Sequence, residues 1–150
     1  MKLAEGLSIR KDLQTRIEQL KARLLNNMKV QEGDKPAEEP TELMKELDSC
    51  LEQLQDIMFR INATNMHTTK DGKTLTMMMA ERDVLGKRLQ VLREAFERAS
   101  QSQDRYGRNE IKYVTTINIA ALRKQVDSHS QHLRQLDIEI QSINFATELL

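Results

Sequence analysis

The chain has 150 residues, of which 31% are charged and only 3% are aromatic, and its formal net charge is zero. This length suits a single domain, and a charged, aromatic-poor composition is typical of helical bundles and coiled coils rather than α/β enzymes. The balanced charge argues against general nucleic-acid binding, which normally requires a basic surface.

The cellular compartment is indicated by the cysteine count and by the apolar runs. Cys50 is the only cysteine, so an internal disulfide cannot form and a reducing compartment is favoured. Glu5 and Arg10 interrupt the first apolar positions, so no secretory signal is expected. No run of about 18 apolar residues is present, so we expect no membrane span and a cytoplasmic protein.

The first predicted helix covers residues 2–31. Its apolar residues recur at helical spacing: Leu13, Ile17, Leu20 and Leu24. An acidic segment containing Gly33, Pro36 and Pro40 follows, and we expect it to be a linker because Gly and Pro end helices.

The second predicted helix covers residues 41–67, and Thr41 is expected to cap its N-terminus. Its apolar face is predicted to contain Leu43, Leu47, Leu51, Leu54, Met58 and Ile61. The dipeptide Asp71-Gly72 then predicts a tight turn, because Gly tolerates positive φ. Residues 69–70 and 73–74 are expected to form a short β-hairpin around that turn.

The third predicted helix covers residues 74–102, and it carries two apolar stripes. The first stripe has the spacing of a coiled-coil seam and comprises Leu75, Met78, Leu85, Leu89, Leu92 and Phe96. Arg82 interrupts it where an apolar residue is expected. Met77, Val84 and Val91 form the second stripe, which predicts that this helix contacts more than one neighbour.

The fourth predicted helix covers residues 118–147, and Asn118 is expected to cap it. Its seam alternates spacings of three and four through Ile119, Leu122, Val126, His129, Leu133, Leu136, Ile140 and Ile143. Before this helix, the alternation of side chains near residues 106–116 predicts a short β-like segment. We expect that segment to pair with residues 69–74.

These elements predict an all-α fold with one domain over residues 1–150. Four long amphipathic helices with short connections favour an antiparallel, up-down-up-down bundle with coiled-coil packing. Two helical hairpins that associate between chains are the alternative. In either arrangement the apolar stripes predict a homo-oligomer.

The residue pattern predicts no catalytic residue, no metal site and no cofactor. A di-iron bundle requires Glu-x-x-His pairs, whereas His129 and His132 lack a Glu three residues earlier. Neither a Gly-rich phosphate loop nor a nucleophile motif is present. We therefore interpret His129 as a hydrogen-bonded seam residue.

Arg82 is the main candidate for a polar site, since an unpaired buried charge is costly. It is expected either to form an ion pair that fixes helix register or to bind an anion. An anion site would combine Arg82 with the loop 106–112. In a single bundle this loop lies at the end opposite the connection between the second and third helices. The cluster would therefore assemble only between subunits, or if the loop folds back along the bundle. The candidate residues are Asn62, Asn65, Arg82, Asp83, Tyr106, Arg108, Glu110, Lys112 and His129.

Several motifs, taken in order, resemble the septicolysin-like family of small bacterial helical proteins. They are Met1–Glu5, Arg16–Leu20, Val30–Gly33, Arg60–Asn65, Asp71–Leu75, Ala80–Leu85, Arg108–Tyr113 and Leu122–Asp127. The resemblance spans nearly the whole chain. It implies a pore-forming cytolysin, and it carries over no catalytic residue.

The leading functional expectation is a non-enzymatic helical protein that self-assembles through coiled-coil-like packing. The alternative is a septicolysin-like, membrane-active toxin that inserts amphipathic helices. A third expectation is a protein that binds a small anion or another ligand near Arg82.

Overall fold

The protein is described by a computed structural model that covers residues 1–101 and 111–150. Within these ranges it contains two short strands and four long helices. The elements are α1 (Leu3–Asn26), α2 (Pro40–His67), β1 (Thr69–Lys70), β2 (Lys73–Thr74), α3 (Leu75–Ser100) and α4 (Ile119–Ala146). The predicted fold class, a mostly α-helical protein with a short β element, is confirmed.

The helix boundaries agree with the sequence patterns except at the end of α1. This helix was expected to continue to residue 31, but it ends at Asn26. The Asn27 side chain donates a hydrogen bond to the Arg23 carbonyl at 2.8 Å, and it accepts one from the Glu38 N–H at 3.0 Å. These two bonds fasten the helix end to the linker, so the chain turns there.

The N-termini of α2 and α4 begin in different ways. The prediction that Thr41 caps α2 was wrong, because the helix begins at Pro40 with Glu39 in the cap position. Proline suits the first helical position because its φ is already helical and it lacks an N–H. The predicted cap of α4 is confirmed, since Asn118 Oδ1 accepts a hydrogen bond from the Ala121 N–H at 3.1 Å.

The β-hairpin predicted around residues 71–72 is confirmed. β1 and β2 pair antiparallel, with Thr69 opposite Thr74. Asp71 and Gly72 both have positive φ, at 50° and 80°, as the type I′ hairpin turn requires. The strand expected near residues 106–116 was wrong for its described part, because residues 111–116 have no regular structure. A two-residue turn closes at a far lower entropic cost than a long-range strand pairing.

The chain divides into two compact units. The first comprises Met1–Thr74 and Ser142–Leu150, and the second comprises Leu75–Gln141. The first contains the antiparallel pair of α1 and α2, which we call the first helical pair. The second contains the antiparallel pair of α3 and α4 up to Gln141, which we call the second helical pair. Both predicted arrangements, the single four-helix bundle and the two helical hairpins, contain these two pairs.

Each helix contributes a narrow stripe to its pair, which we call its seam. Seam residues occupy positions a and d of a seven-residue repeat, as in a coiled coil. On α1 they are Leu3, Gly6, Arg10, Leu13, Ile17, Leu20, Leu24 and Asn27. On α2 they are Leu43, Leu47, Cys50, Leu54, Ile57, Ile61 and Thr64. All are buried or half-buried, and Leu20, Leu43 and Cys50 form one core cluster.

Two residues assigned to the apolar face of α2 lie outside its seam. Leu51 and Met58 are 44% and 42% exposed, whereas their neighbours Cys50 and Ile57 are buried. The expected face followed runs of leucine. The seam instead continues the alternation of four and three residues from Leu43, which selects positions 50 and 57.

The registers predicted for α3 and α4 agree with the burial of their residues. Every residue of both registers is buried or half-buried, including Arg82 on α3 and His129 on α4. The pairing is antiparallel, since Arg93 Nη2 donates to Ser130 Oγ at 3.1 Å while Arg82 lies near Asp137. Polar residues therefore lie within the seam of the second pair.

The first unit is closed by a bridge between its first and last residues. Lys2 and Glu148 form an isolated antiparallel β-bridge. The Leu3 N–H donates to the Thr147 carbonyl at 2.9 Å, and the Leu149 N–H donates to the Met1 carbonyl at 2.8 Å. We call this element the terminal bridge.

Gly6 permits the close packing beneath that bridge. A Cβ at this position would lie 3.0 Å from Leu149 Cδ2, so a larger residue would displace the buried leucine. The absence of a side chain at Gly6 therefore leaves room for Leu149, at a position inside a helix where glycine is otherwise unfavourable.

Candidate interaction surfaces and polar sites

One flank of the first helical pair is charged. Arg16 on α1 forms an ion pair with Glu46 on α2. Nearer the linker, Arg23 Nε lies 3.1 and 3.0 Å from the two carboxylate oxygens of Glu38. Arg16 and Glu46 both occupy position g, and facing g residues are how antiparallel coiled coils fix alignment. We call this flank the charged flank.

The ion pairs of the charged flank shift the pKa values of their members. The hydrogen bond from Arg23 lowers the pKa of the Glu38 carboxyl, and the Glu38 carboxylate raises the pKa of Arg23. A hydrogen bond to Glu46 likewise raises the pKa of Arg16. These groups are solvent-exposed, and exposed ion pairs contribute little free energy. Their main effect is to specify which helix positions face each other.

A shallow polar groove of about 240 Å³ lies along the charged flank. It is lined by Asp12, Thr15, Arg16, Gln19, Leu20, Arg23 and Glu46. The two arginines and Glu46 are already held in ion pairs, so a charged ligand would have to displace those partners. The described residues contain no group of three or more His, Cys, Asp or Glu side chains that could hold a metal ion.

The opposite flank of the first helical pair is apolar. Met44, Leu51 and Met58 recur every seven residues at position e of α2, and all three are exposed. Leu7, at position e of α1, is half-buried on the same flank. The two flanks of this pair therefore differ in chemistry, and the apolar one remains open to solvent.

α3 carries an apolar stripe that points away from its seam. Met77, Val84 and Val91 recur every seven residues at position c, and their exposed fractions are 55%, 62% and 63%. We call these residues the outer stripe. Position c faces outward in a coiled coil and is usually polar. The second apolar stripe predicted on α3 is thus exposed to solvent in this chain.

Similar outward apolar residues occur on two other helices. Phe59 and Met66 are seven residues apart on α2, and Ile138 and Phe145 are seven residues apart on α4; all four are exposed. Among the described residues, twenty large apolar side chains are exposed and fourteen apolar residues are buried. Scattered exposed apolar side chains are ordinary. Those named here on α2, α3 and α4 recur every seven residues, so they form rows along their helices.

Arg82 is paired with carboxylates rather than left free. Its Nε and Nη2 each lie 3.1 Å from Asp83 Oδ1, and its Nε lies 3.9 Å from Asp137 Oδ1 on α4. Its side chain is 30% exposed. Arg82 therefore has carboxylate partners on both α3 and α4, in a partly exposed rather than a buried ion pair. Two nearby carboxylates also oppose the binding of an additional anion.

The other described candidate residues are divided between the two compact units. Asn62 is exposed and Asn65 is buried, and both belong to the first unit. Arg82, Asp83, Lys112 and His129 belong to the second unit. Lys112 is exposed, and His129 is half-buried. Tyr106, Arg108 and Glu110 lie outside the described residues.

The sequence did not identify the polar contacts that hold the end of the chain. Arg60 Nε donates to the Leu150 backbone oxygen at 2.8 Å. Thr64 Oγ1 accepts from the Leu150 N–H at 3.0 Å and donates to the Arg60 carbonyl at 2.8 Å. Arg60 and Thr64 are four residues apart, and Thr64 occupies a seam position of α2 where the preceding seam residues are apolar. That interruption was the available signal, but their partner is 86 to 90 residues away.

Comparison with known proteins identifies relatives without an assigned activity. The chain is similar to a solved protein from Corynebacterium diphtheriae, described as a functionally unknown conserved protein, with 41% sequence identity and a TM-score of 0.92. The match covers 100% of this chain and 99% of that one. Among curated proteins, no sequence matches the chain significantly.

Among the described residues, no helix is both long enough and apolar enough to cross a bilayer. The matching family model covers residues 10–149, almost the whole chain. The chain therefore belongs to the family of unknown function DUF6847.

Proposed function

We propose that this chain is a non-enzymatic helical protein that assembles with copies of itself through coiled-coil-like packing. The observation that carries this proposal is the outer stripe of α3. Three apolar side chains, Met77, Val84 and Val91, occupy one outward column at seven-residue spacing and are each more than half exposed. Burying them would remove apolar surface from water, which is the main driving force of protein association.

The spacing of the exposed residues favours a helical partner. Side chains seven residues apart lie on one line along a helix, with about 10.5 Å between successive members. A second helix can cover such a line along its length. The apolar flank of the first helical pair, formed by Met44, Leu51 and Met58 with Leu7, offers a similar line. Both surfaces therefore suit assembly between helices.

The chemistry of the polar groups supports a role without catalysis. Arg82 is neutralised by Asp83 and Asp137, and the arginines of the polar groove are held by carboxylates. Cys50 is buried in the core cluster, where a thiol behaves as a small apolar residue. We also propose that the protein functions in the cytoplasm, because its single, buried cysteine has no internal disulfide partner and suits a reducing compartment.

Light scattering coupled to size-exclusion chromatography tests the assembly proposal. The chain mass is 17.4 kDa, and we expect a multiple of this mass that falls toward the monomer on dilution. A mass that stays at 17.4 kDa up to the highest soluble concentration would contradict self-assembly.

Membrane activity is the second candidate function, because exposed apolar rows on amphipathic helices also suit a lipid surface. Dye-filled liposomes distinguish it from self-assembly. We expect the purified protein to release no dye above the level of a buffer control. Release at low protein concentration would favour the septicolysin-like alternative.

A further inference from the structure

We infer that the outer stripe pairs antiparallel with the outer stripe of a second copy, around a two-fold axis at Val84. The inference rests on the proposed self-assembly and adds the partner surface and its orientation. Val84 is the midpoint of the stripe, with Met77 seven residues before it and Val91 seven residues after it. An axis at Val84 therefore places each Met77 opposite Val91 of the partner subunit.

The charged residues beside the stripe are self-complementary in this orientation. Glu81 and Arg88 are seven residues apart in one column, position g, which adjoins the outer stripe. In an antiparallel pair centred at Val84, each Glu81 lies opposite Arg88 of the partner subunit. The interface thus gains two equivalent ion pairs, as an interface with two-fold symmetry requires.

Glu81 can take part in this pair while it keeps its contact within the chain. Its Oε1 lies 3.7 Å from His132 Nε2 on α4, and a carboxylate has two oxygens that accept several hydrogen bonds. Glu81 is half-buried and Arg88 is exposed. Because position g lies beside the stripe, the Glu81 carboxylate places a negative charge near an incoming basic group.

Small residues beside the stripe permit a close approach of the two helices. Ala80 and Ala95 lie in the adjoining columns, and both are exposed. Neither would hold the helix axes apart as a longer side chain would. Antiparallel packing also opposes the dipoles of the two helices, which places unlike ends together. Apolar spacing, charge and size all fit a second α3.

Disulfide trapping tests this orientation. Each variant is made in a Cys50→Ser background, so that the introduced cysteine is the only thiol. Val84→Cys is expected to form a covalent dimer under mild oxidation, because two copies of position 84 meet at the axis. Met77→Cys and Val91→Cys are each expected to remain monomeric on denaturing gels when oxidised alone, but to cross-link when mixed. Gln90→Cys, an exposed residue outside the stripe, is the control for random collision.

The cross-linking results distinguish antiparallel from parallel pairing of the outer stripes. Efficient self-linking of Met77→Cys and of Val91→Cys would indicate parallel helices and would overturn the inference. Cross-linking of Val84→Cys no faster than that of Gln90→Cys would also overturn it. If light scattering still gives an oligomer in that case, self-assembly stands and uses another surface. If light scattering gives a monomer, the proposed function fails as well.

Discussion

The two helical pairs use polar residues differently. In the first pair, the seam is apolar from Leu13 to Leu24 on α1 and from Leu43 to Ile61 on α2. Its polar seam residues, Arg10, Asn27 and Thr64, lie outside these ranges, and its ion pairs lie on the charged flank. In the second pair, Arg82 and His129 lie within the seams themselves. Charges beside a seam favour one alignment of the two helices with little effect on the free energy of unfolding. Polar groups inside a seam lower that free energy, but they also restrict the helices to one register.

The same comparison extends to the outward surfaces. The first pair places a three-residue apolar row at position e, beside the seam, and carries the outward residues Phe59 and Met66 on α2. The second pair places a three-residue row at position c, away from its seam. A row beside the seam widens the existing contact, whereas a row away from it forms a separate surface. The second pair thus combines a polar seam with an independent apolar surface, which suits association with another chain.

The largest expected effect comes from the core of the first pair. Leu20 is 1% exposed, and Leu20→Ala should lower the free energy of unfolding by about 2–5 kcal/mol, because it removes buried methyl groups and leaves a cavity. Leu25→Ala on the same helix is the matched control, since Leu25 is 64% exposed; its cost should stay within about 0.5 kcal/mol. Urea denaturation measures both. Equal losses would mean that the seam of α1 is wrongly assigned.

The next largest effect concerns the outer stripe. Val84→Glu should weaken self-association at least about tenfold, equivalent to about 1.4 kcal/mol, because the interface would have to bury two charges. Sedimentation equilibrium measures the change. Val30→Glu makes the same substitution at an exposed linker residue and should leave the association constant unchanged. If the two variants behave alike, the outer stripe is not the interface.

Arg82→Met should have a smaller effect of opposite sign. Its carboxylate partners, Asp83 and Asp137, are exposed, so the substitution leaves no buried unpaired charge. The apolar replacement should keep stability unchanged or raise it by about 1 kcal/mol. Chemical denaturation measures the change, and Arg93→Met, outside the seam, is the control. A loss above about 3 kcal/mol would show that the ion pair itself stabilises the fold.

The smallest effect is expected at the terminal bridge. Hydrogen bonds from Lys2 and then from the Met1 ammonium lower the pKa of Glu148. A lowered folded-state pKa contributes stability above the ordinary carboxyl pKa, and this contribution is lost as pH falls through the folded-state value.

Glu148→Gln should therefore lower the thermal midpoint slightly at pH 7, and the difference from the unsubstituted protein should shrink in acid, once pH falls below the ordinary glutamate pKa of about 4.3. Differential scanning calorimetry measures both midpoints. Glu18→Gln, at an exposed site on α1, should cause no difference at either pH. A Glu148→Gln difference that persists in acid would exclude this carboxylate as its source.

Sequence periodicity predicted the helices because each one follows a single repeat. The α4 register from Ile119 to Ile143 and the cap at Asn118 were both correct, since they depend on neighbouring residues only. Leu51 and Met58 were misplaced because leucine-rich neighbours hid the true register. The pairings of Arg16 with Glu46 and of Arg82 with Asp137 required the alignment of two helices, which one helix alone does not specify.

The candidate site was less predictable than the fold. Arg82 was singled out because one charge in an apolar column is conspicuous in a sequence. The terminal bridge gave no comparable signal, because backbone groups of residues 1–3 and 147–149 form it and any sequence supplies those groups. The outer stripe was visible as a pattern, but its exposure depended on which side of α3 faces α4.

The terminal bridge has a consequence for the order of folding. Each helical pair forms from segments that are close in the chain, whereas Met1 and Glu148 are 147 residues apart. Local contacts form early, and a contact that closes such a long loop forms after them. The bridge should therefore be the last element to form and the first to open. Its amides at Leu3 and Leu149 should exchange with solvent through local opening, while both helical pairs stay folded.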